Sequence, residues 1–255
     1  MMFKHFKVDN LDVYVYGSRA EMGRAAYELY RDKVNGRLLS PGFVRAIFAA
    51  AHSQDEFLDE LCADRTIDFA RMDAFHMDEY FGLGVDAPQN FGNFLQEHIW
   101  RHQPFHSVNR LRSDAEDLDQ EARRYEALVK AARIDITSLG IGENGHIAFN
   151  DPHEADFADP RWVRTTSLDV VCRQQQVNDG EFPALDDVPQ RAFTLTIPAL
   201  MSSRSLVCIV PGVRKAWAVR ETLEGPVSPR CPASIMRTHP DATLFLDADA
   251  ASMIL

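Results

Sequence analysis

Short apolar runs alternate along the chain with longer amphipathic stretches. The runs are rich in β-branched and aromatic residues and have strand length, whereas the stretches between them carry the spacing of helices. Strand-like runs occur at 11–17, 44–51, 134–142, 193–197, 205–212 and 242–247. Such alternation is typical of a mostly parallel sheet covered by helices, so the pattern predicts an α/β fold.

Local signals place the starts of several helices. A helical pattern over residues 18–35 follows the first strand. Ser53 begins S-Q-D-E, which predicts a capping box in which Ser53 and Glu56 close the first turn of a helix. Asn90 is placed to cap a helix running through His102, and residues 114–133 are predicted as one long amphipathic helix.

The chain turns polar between residues 151 and 190 and contains four prolines there, at 152, 160, 183 and 189. Long polar stretches inside a compact domain are more often functional loops than linkers. The pattern therefore predicts one domain over residues 1–255, with a lid at about 151–190.

Composition narrows the classes of function. The 255 residues are 45% hydrophobic and carry a formal net charge of -11, which argues against a protein that wraps nucleic acid. No apolar run approaches the roughly 20 residues that cross a bilayer. The first residues lack the apolar core of a secretory signal. We therefore expect a soluble, cytoplasmic protein without nucleic-acid or membrane partners. The four cysteines are scattered, which predicts neither a disulfide framework nor a zinc site.

The first candidate for chemistry is AFHMDEYFGL (74–83), where an extended segment ends at Asp78 and Glu79. Ligands of open parallel sheets bind at the carboxyl ends of strands, and burial there would raise the pKa of Asp78 toward the range of a general base. In the alternative, Asp78 caps a turn and Glu79 is solvated. His76 and Asp78 could also ligate a metal, but no third ligand is in view, so no metal is predicted.

The second candidate is GIGENGHIAFNDP (140–152). Its glycines match the dinucleotide fingerprint, but Pro152 blocks the helix which that fingerprint requires, so binding of NAD is not expected. A glycine-rich loop beside His146 could instead approach another ligand, with Asp151 orienting the imidazole for proton transfer. The alternative is a structural histidine.

MDEYFGL followed by GIGENGHIAFNDP resembles the glucosamine-6-phosphate deaminase/isomerase family. VPQRAFTLTIPALM and VPGVRKAWAVRETLEG resemble later segments of that family, so the likeness covers nearly the whole chain. The related 6-phosphogluconolactonases have a similar glycine loop, but they resemble DER near the first motif and GHTASLF in the second. This chain has neither of these two motifs.

The resemblance implies a three-layer αβα sandwich with a Rossmann-like sheet. It implies an enzyme of the hydrolase class that converts an amino-sugar 6-phosphate to a ketose 6-phosphate and ammonia without a cofactor. Asp78 matches the residue that moves a proton between C2 and C1, and His146 matches the residue that opens the sugar ring. Asp151 matches the acid that supports the histidine, and Asn144 would orient it.

The same resemblance suggests which residues bind the sugar phosphate. Lys215 and the loop AAHSQ (50–54) match the phosphate site of the family, and Arg173 is a candidate replacement for a lid arginine without a clear match. The expected substrate-binding residues are His52, Ser53, Gln54, Glu79, Gly142, Gly145, Arg173 and Lys215.

Other functions remain open at this point. A lactonase or simple isomerase on the same fold, and a non-catalytic sugar-phosphate-binding protein, are the alternatives. A homo-oligomer is plausible from the resemblance. Neither the identity of the hexosamine nor allosteric control follows from the sequence.

Overall fold

The computed structural model describes residues 2–255. The strands are β1 (Met2–Val8), β2 (Leu11–Tyr16), β3 (Val44–Phe48), β4 (Met72–His76), β5 (Asp78–Tyr80), β6 (Ser107–Asn109), β7 (Ile136–Leu139), β8 (Val163–Ser167), β9 (Arg191–Leu195), β10 (Ser205–Val210) and β11 (Ala242–Asp247). Eight of them form the main sheet, in the order β1-β2-β11-β10-β7-β3-β4-β6. Only β1 pairs antiparallel there, with β2, and the other neighbours in this sheet are parallel.

Helices cover both faces of the main sheet. They are α1 (Arg19–Leu38), α2 (Asp55–Ala63), α3 (Phe91–Leu95), α4 (Leu118–Lys130), α5 (Val170–Asn178), α6 (Ile197–Met201) and α7 (Ala216–Glu224). Shorter 3-10 helices span His52–Gln54, Phe69–Arg71, Leu185–Asp187, Val213–Lys215 and Pro232–Thr238, and a π-helical segment spans Gln96–Trp100.

The sheet separates two apolar cores. Successive residues of β10 enter opposite cores: Leu206 and Cys208 pack with buried residues of α4 and α7, while Val207 and Ile209 pack with those of α1 and α2. Every residue of β10 is buried, as expected for a parallel strand covered on both faces. The predicted αβα sandwich with a mostly parallel sheet is confirmed.

A second, smaller sheet extends the fold beside the first. Its three strands are antiparallel, in the order β5-β9-β8. Both β8 and α5 lie inside the polar stretch predicted as a lid, so residues 151–190 contain regular structure. Asp78 is the first residue of β5, although the sequence predicted that it ends an extended segment. The difference arises because the chain leaves the main sheet after His76, the last residue of β4.

One predicted helix cap is wrong, and a second is right in position but makes no side-chain hydrogen bond. Ser53 lies inside a 3-10 helix, Gln54 occupies the cap position of α2, and the Glu56 carboxylate binds Arg19. Asn90 precedes α3, but its side chain makes no capping bond. The helix predicted over 90–102 continues from α3 as the π-helical segment, and α4 starts only after Asp117, which caps it.

The sequence pattern did not predict β1. Most of its side chains are exposed, so it lacks the apolar alternation that marks the other strands. No helix in residues 2–255 is long and apolar enough to span a membrane. Cys62, Cys172, Cys208 and Cys231 are free thiols.

Candidate active site

A cavity of about 380 Å³ opens at the carboxyl ends of β3, β4, β7 and β10. The segments that follow these four strands supply much of its lining, including 49–53, 77–78, 140–142 and 211–215. The order β10-β7-β3 brings these ends together at one edge of the sheet, which is the usual place for a ligand in an open α/β fold.

Asp78 lines this cavity from the first position of β5, and its side chain is buried. Its carboxylate has no hydrogen-bond or ion-pair partner among residues 2–255. Burial raises the pKa of Asp78 well above its usual range, and the charge of Glu79 adds to this. A carboxyl group with a raised pKa and with both oxygens available is suited to moving a proton on a bound molecule.

Glu79 points away from the cavity, which corrects its assignment as a substrate-binding residue. Its Oε1 accepts from the backbone N–H of Phe91 at 2.9 Å, and its Oε2 accepts from that of Gly92 at 2.9 Å. Glu79 therefore caps α3 in place of Asn90. Burial raises the pKa of Glu79 to about 7, even though these hydrogen bonds act in the opposite direction.

The glycine loop positions His146 at the cavity wall. A Cβ on Gly142 would lie 2.1 Å from the imidazole, so only glycine leaves room for this ring. Gly145 adopts φ +85°, and a Cβ there would lie 2.7 Å from the Sγ of Cys231. Gly142 lines the cavity and Gly145 shapes the turn behind it. No helix begins at Gly145, where the dinucleotide fingerprint requires one.

Asn144 and Asp151 hold the imidazole of His146 from one side. His146 Nδ1 lies 2.7 Å from Asn144 Oδ1 and 3.1 Å from Asp151 Oδ1. Asn144 Nδ2 donates to Asp151 and to Asp169, at 2.9 Å each, so its Oδ1 is the acceptor toward His146. Because both neighbours of Nδ1 are oxygens, Nδ1 carries the proton and Nε2 is left to act as a base.

Asp151 is fully buried, yet its environment favours the charged form. Burial alone would raise the pKa of Asp151, but the hydrogen bond and charge of His146, the amide of Asn144 and the backbone N–H of Asp169 lower it to about 2. The predicted roles of Asn144 and Asp151 as supports of His146 fit this geometry.

Lys215 and Ser53 lie at the end of the cavity formed by the β3 and β10 segments. The Lys215 ammonium group has no ion-pair partner among the described residues, and burial lowers its pKa. The Ser53 hydroxyl accepts from Gln54 Nε2 at 3.0 Å, which leaves its own proton for a ligand. This pair can bind an anion.

Two other predicted contacts, those of Gln54 and Arg173, differ from expectation. Gln54 is fully buried, and its amide donates to the carbonyls of Leu139 and Ile209, so it does not line the cavity. Arg173 turns away, toward the carbonyls of Val188 and Leu185.

His52 does line the cavity, but its ring is engaged by two carboxylates. Its Nδ1 lies 2.9 Å from Asp55, and its Nε2 lies 3.1 Å from Glu181 in the predicted lid. His52 therefore links the predicted lid to the start of α2.

Residues that the sequence did not single out also line the cavity. Arg214 forms ion pairs with Asp179 at 2.5 Å and with Glu143 at 3.4 Å. The amide of Gln176 is buried without a partner among residues 2–255, and Arg19 enters from the start of α1. Arg214 adjoins Lys215 in the sequence and could have been noticed, whereas nothing in the sequence connects Arg19 to the other site residues.

In the described part of the chain, residues 2–255, two groups of side chains lie close enough together to consider a metal ion. They are His146, Asp151 and Cys172, and Asp151, His153 and Asp169. Burial raises the pKa of the Cys172 thiol well above its usual range, and Asp151 already accepts hydrogen bonds through both oxygens. His76 cannot act as the suggested metal ligand through Nε2, which accepts from the backbone N–H of Leu111.

Known proteins resemble this chain over most of its length. The profile of the family described as glucosamine-6-phosphate isomerases/6-phosphogluconolactonase matches residues 19–245. Glucosamine-6-phosphate deaminase of Streptococcus agalactiae is 32% identical over 234 residues, which cover 92% of this chain and 96% of that protein. The corresponding protein of Lactobacillus johnsonii is 33% identical over 250 residues, with 96% and 98% covered.

Solved structures resemble the fold as well. A monomeric glucosamine-6-phosphate deaminase is 30% identical and superposes with a TM-score of 0.86, covering 94% of this chain and 99% of the other. A 6-phosphogluconolactonase from Thermotoga maritima has a TM-score of 0.76 at 18% identity, with 93% and 99% covered. The latter similarity concerns the fold alone.

Proposed function

Because this chain belongs to the glucosamine-6-phosphate isomerase/6-phosphogluconolactonase family, we propose that it is an enzyme that deaminates a hexosamine 6-phosphate. The products are a ketose 6-phosphate and ammonia. The observation that carries the proposal is the joint presence, in one cavity, of an unpartnered carboxyl group at Asp78 and an oriented imidazole at His146.

His146 acts first, on the closed sugar. Its Nε2 accepts the proton of the anomeric hydroxyl and returns a proton to the ring oxygen, so that the C1–O5 bond breaks and an open aldehyde forms. Asp151 favours this step because its negative charge, less than 4 Å from the ring, stabilises the imidazolium that exists between the two transfers.

Asp78 then moves the carbon-bound proton. Its carboxylate removes the proton from C2, the electron pair forms a C1–C2 double bond, and the proton returns to C1. The C2–N bond becomes an iminium, and water adds to C2 and releases ammonia. The net reaction consumes one water, which accounts for the proposed hydrolase class of this isomerase-like enzyme.

Lys215 and Ser53 are proposed to bind the phosphate. A half-buried ammonium group without an ion-pair partner among residues 2–255 is costly to keep in a protein, and a bound dianion would compensate it. Two residues of the predicted lid also line the cavity: Gln176, on α5, and Glu181, just after that helix. Residues 151–190 are therefore proposed to serve as the lid over the sugar. The cytoplasm, where sugar phosphates are found, is the proposed compartment, and the oligomeric state does not enter the mechanism.

A coupled ammonia assay tests the function. Glucosamine, galactosamine and mannosamine 6-phosphates are compared with unphosphorylated glucosamine, using the wild type and Asp78→Asn. Ammonia from one phosphorylated hexosamine, lost in the variant, is the expected result. Absence of ammonia from every hexosamine 6-phosphate would refute the proposal.

A further inference from the structure

Arg19 is the third cation at the phosphate end of the cavity, and no residue of the family motifs points to it. It is the first residue of α1 and lines the cavity together with Ser53 and Lys215. Its Nη2 donates to the backbone carbonyl of His52 at 2.6 Å, so the guanidinium lies directly beside the loop that carries Ser53.

The guanidinium is held in a fixed position by Glu56. Arg19 Nε lies 2.7 Å from Glu56 Oε1, and Nη2 lies 2.9 Å from Oε2. Helices α1 and α2 can approach this closely because residue 23, on α1, is glycine. A Cβ there would lie 2.5 Å from the Cβ of Glu56 on α2. Two nitrogens of the guanidinium are thus used, and Nη1 has no partner among residues 2–255.

The surroundings of Arg19 connect it to the Lys215 segment. Hydrogen bonding to Glu56 is the main cause that raises the pKa of Arg19, and the charge of Asp247 contributes to the same rise. Both carboxylate oxygens of Asp247 accept from the backbone N–H of Gly212, at 3.0 and 3.1 Å. Gly212 is the residue before the 3-10 helix that ends at Lys215.

A phosphate monoester carries close to two negative charges at neutral pH, and Lys215 supplies one positive charge. Arg214 is less able to supply the second one, because it is paired with two carboxylates, Asp179 and Glu143, whereas Arg19 is paired with one. A guanidinium held by a carboxylate on one edge still presents its remaining N–H groups in a fixed direction, which suits a tetrahedral oxyanion.

We propose that Arg19 is a substrate-binding residue which donates through Nη1 to the phosphate of the substrate, opposite Lys215. This inference rests on the proposed function, since it names a further group of the same site.

Direct binding of inorganic phosphate, measured by calorimetry on the intact protein, tests this role without turnover. Arg19→Lys retains a charge that can pair with Glu56 but removes Nη1, and phosphate affinity should fall about tenfold or more. Glu56→Gln breaks the ion pair but keeps the guanidinium, so the affinity should stay within about threefold of wild type or increase. Arg24→Lys is the matched control, since Arg24 lies on the same helix and pairs only with Glu28 and Glu60, outside the cavity.

If the Arg19–Glu56 pair were purely structural, the order of the two phosphate affinities would be reversed, and Glu56→Gln would lower the affinity more than Arg19→Lys. Equal phosphate affinity in Arg19→Lys and wild type would overturn the proposal, and so would a wild type that does not bind phosphate at millimolar concentration. Thermal melting establishes that each variant is folded. If Arg19→Lys lowers phosphate affinity while no hexosamine 6-phosphate yields ammonia, the phosphate site stands and the proposed reaction fails.

Discussion

Asp78 and Asp151 are both buried carboxyl groups at one active site, yet their surroundings are opposite. Within residues 2–255 Asp78 has no hydrogen-bond partner, and its pKa is raised by burial and by the charge of Glu79. Asp151 accepts from Asn144, His146 and the backbone of Asp169, and its pKa is lowered to about 2 in spite of its burial. The number of donors aimed at each carboxylate therefore accounts for the two proposed roles: Asp78 moves protons, and Asp151 stays charged and orients its neighbour.

The largest expected effect comes from Asp78→Asn. The amide cannot take the proton from C2, so the turnover number should fall by roughly 10²–10⁴. The free energy of unfolding at neutral pH should not fall, because the change removes a buried carboxyl group that makes no hydrogen bond. Ammonia release and urea unfolding measure the two effects. Asp68→Asn, at an exposed aspartate outside the cavity, is the control and should change neither.

Gly142→Ala should have the next largest effect. The added Cβ would collide with the imidazole of His146 and displace it from the cavity wall, which should lower the turnover number about 10²-fold. Gly84→Ala is the control, because a Cβ at Gly84 meets nothing within 4 Å. Equal activity of the two variants would show that the position of the imidazole does not limit the reaction.

Asp151→Asn should impair both activity and stability, in contrast to the change at Asp78. An amide has one acceptor oxygen, whereas three donors from His146, Asn144 and Asp169 now converge on the carboxylate. The free energy of unfolding should fall by about 1–3 kcal/mol and the turnover number by about tenfold or more. Unchanged stability would contradict the proposed hydrogen-bond network.

The same residue predicts a dependence of stability on pH. The folded-state pKa of Asp151, about 2, is below the ordinary value near 4. Its contribution is therefore present above pH 4 and is lost as the pH falls toward 2. The difference in unfolding free energy between wild type and Asp151→Asn should shrink over that window, as urea titrations at several pH values would show.

Glu79→Gln should have the smallest effect on activity. Burial is the main cause of the raised pKa of Asp78, and Glu79 is the second. Removing this negative charge makes the proton of Asp78 easier to lose, so the acid limb of kcat/KM should move to lower pH. A shift to higher pH would contradict the assigned interaction.

Sequence reasoning predicted the α/β fold, which is confirmed, and it singled out Asp78 and His146, which both line the cavity. Strong local patterns mark these features. The apolar runs mark most strands, and the glycines around His146 reflect the close approach of its ring to Gly142. Asn90 precedes α3 as predicted, but its missing capping bond has a tertiary cause: Glu79 on β5 accepts from N–H groups at the start of the helix. Arg19 was missed for a similar reason, since its position depends on packing between α1 and α2.

The most direct test of the account follows a single proton. The enzyme is incubated in D₂O with the ketose 6-phosphate product of its reaction and ammonium, and deuterium at C1 is followed by NMR. Wild type should incorporate deuterium, Asp151→Asn should do so more slowly, and Asp78→Asn should remain at the rate without enzyme. Incorporation by Asp78→Asn at the wild-type rate would contradict the assignment of Asp78 as the group that moves the proton.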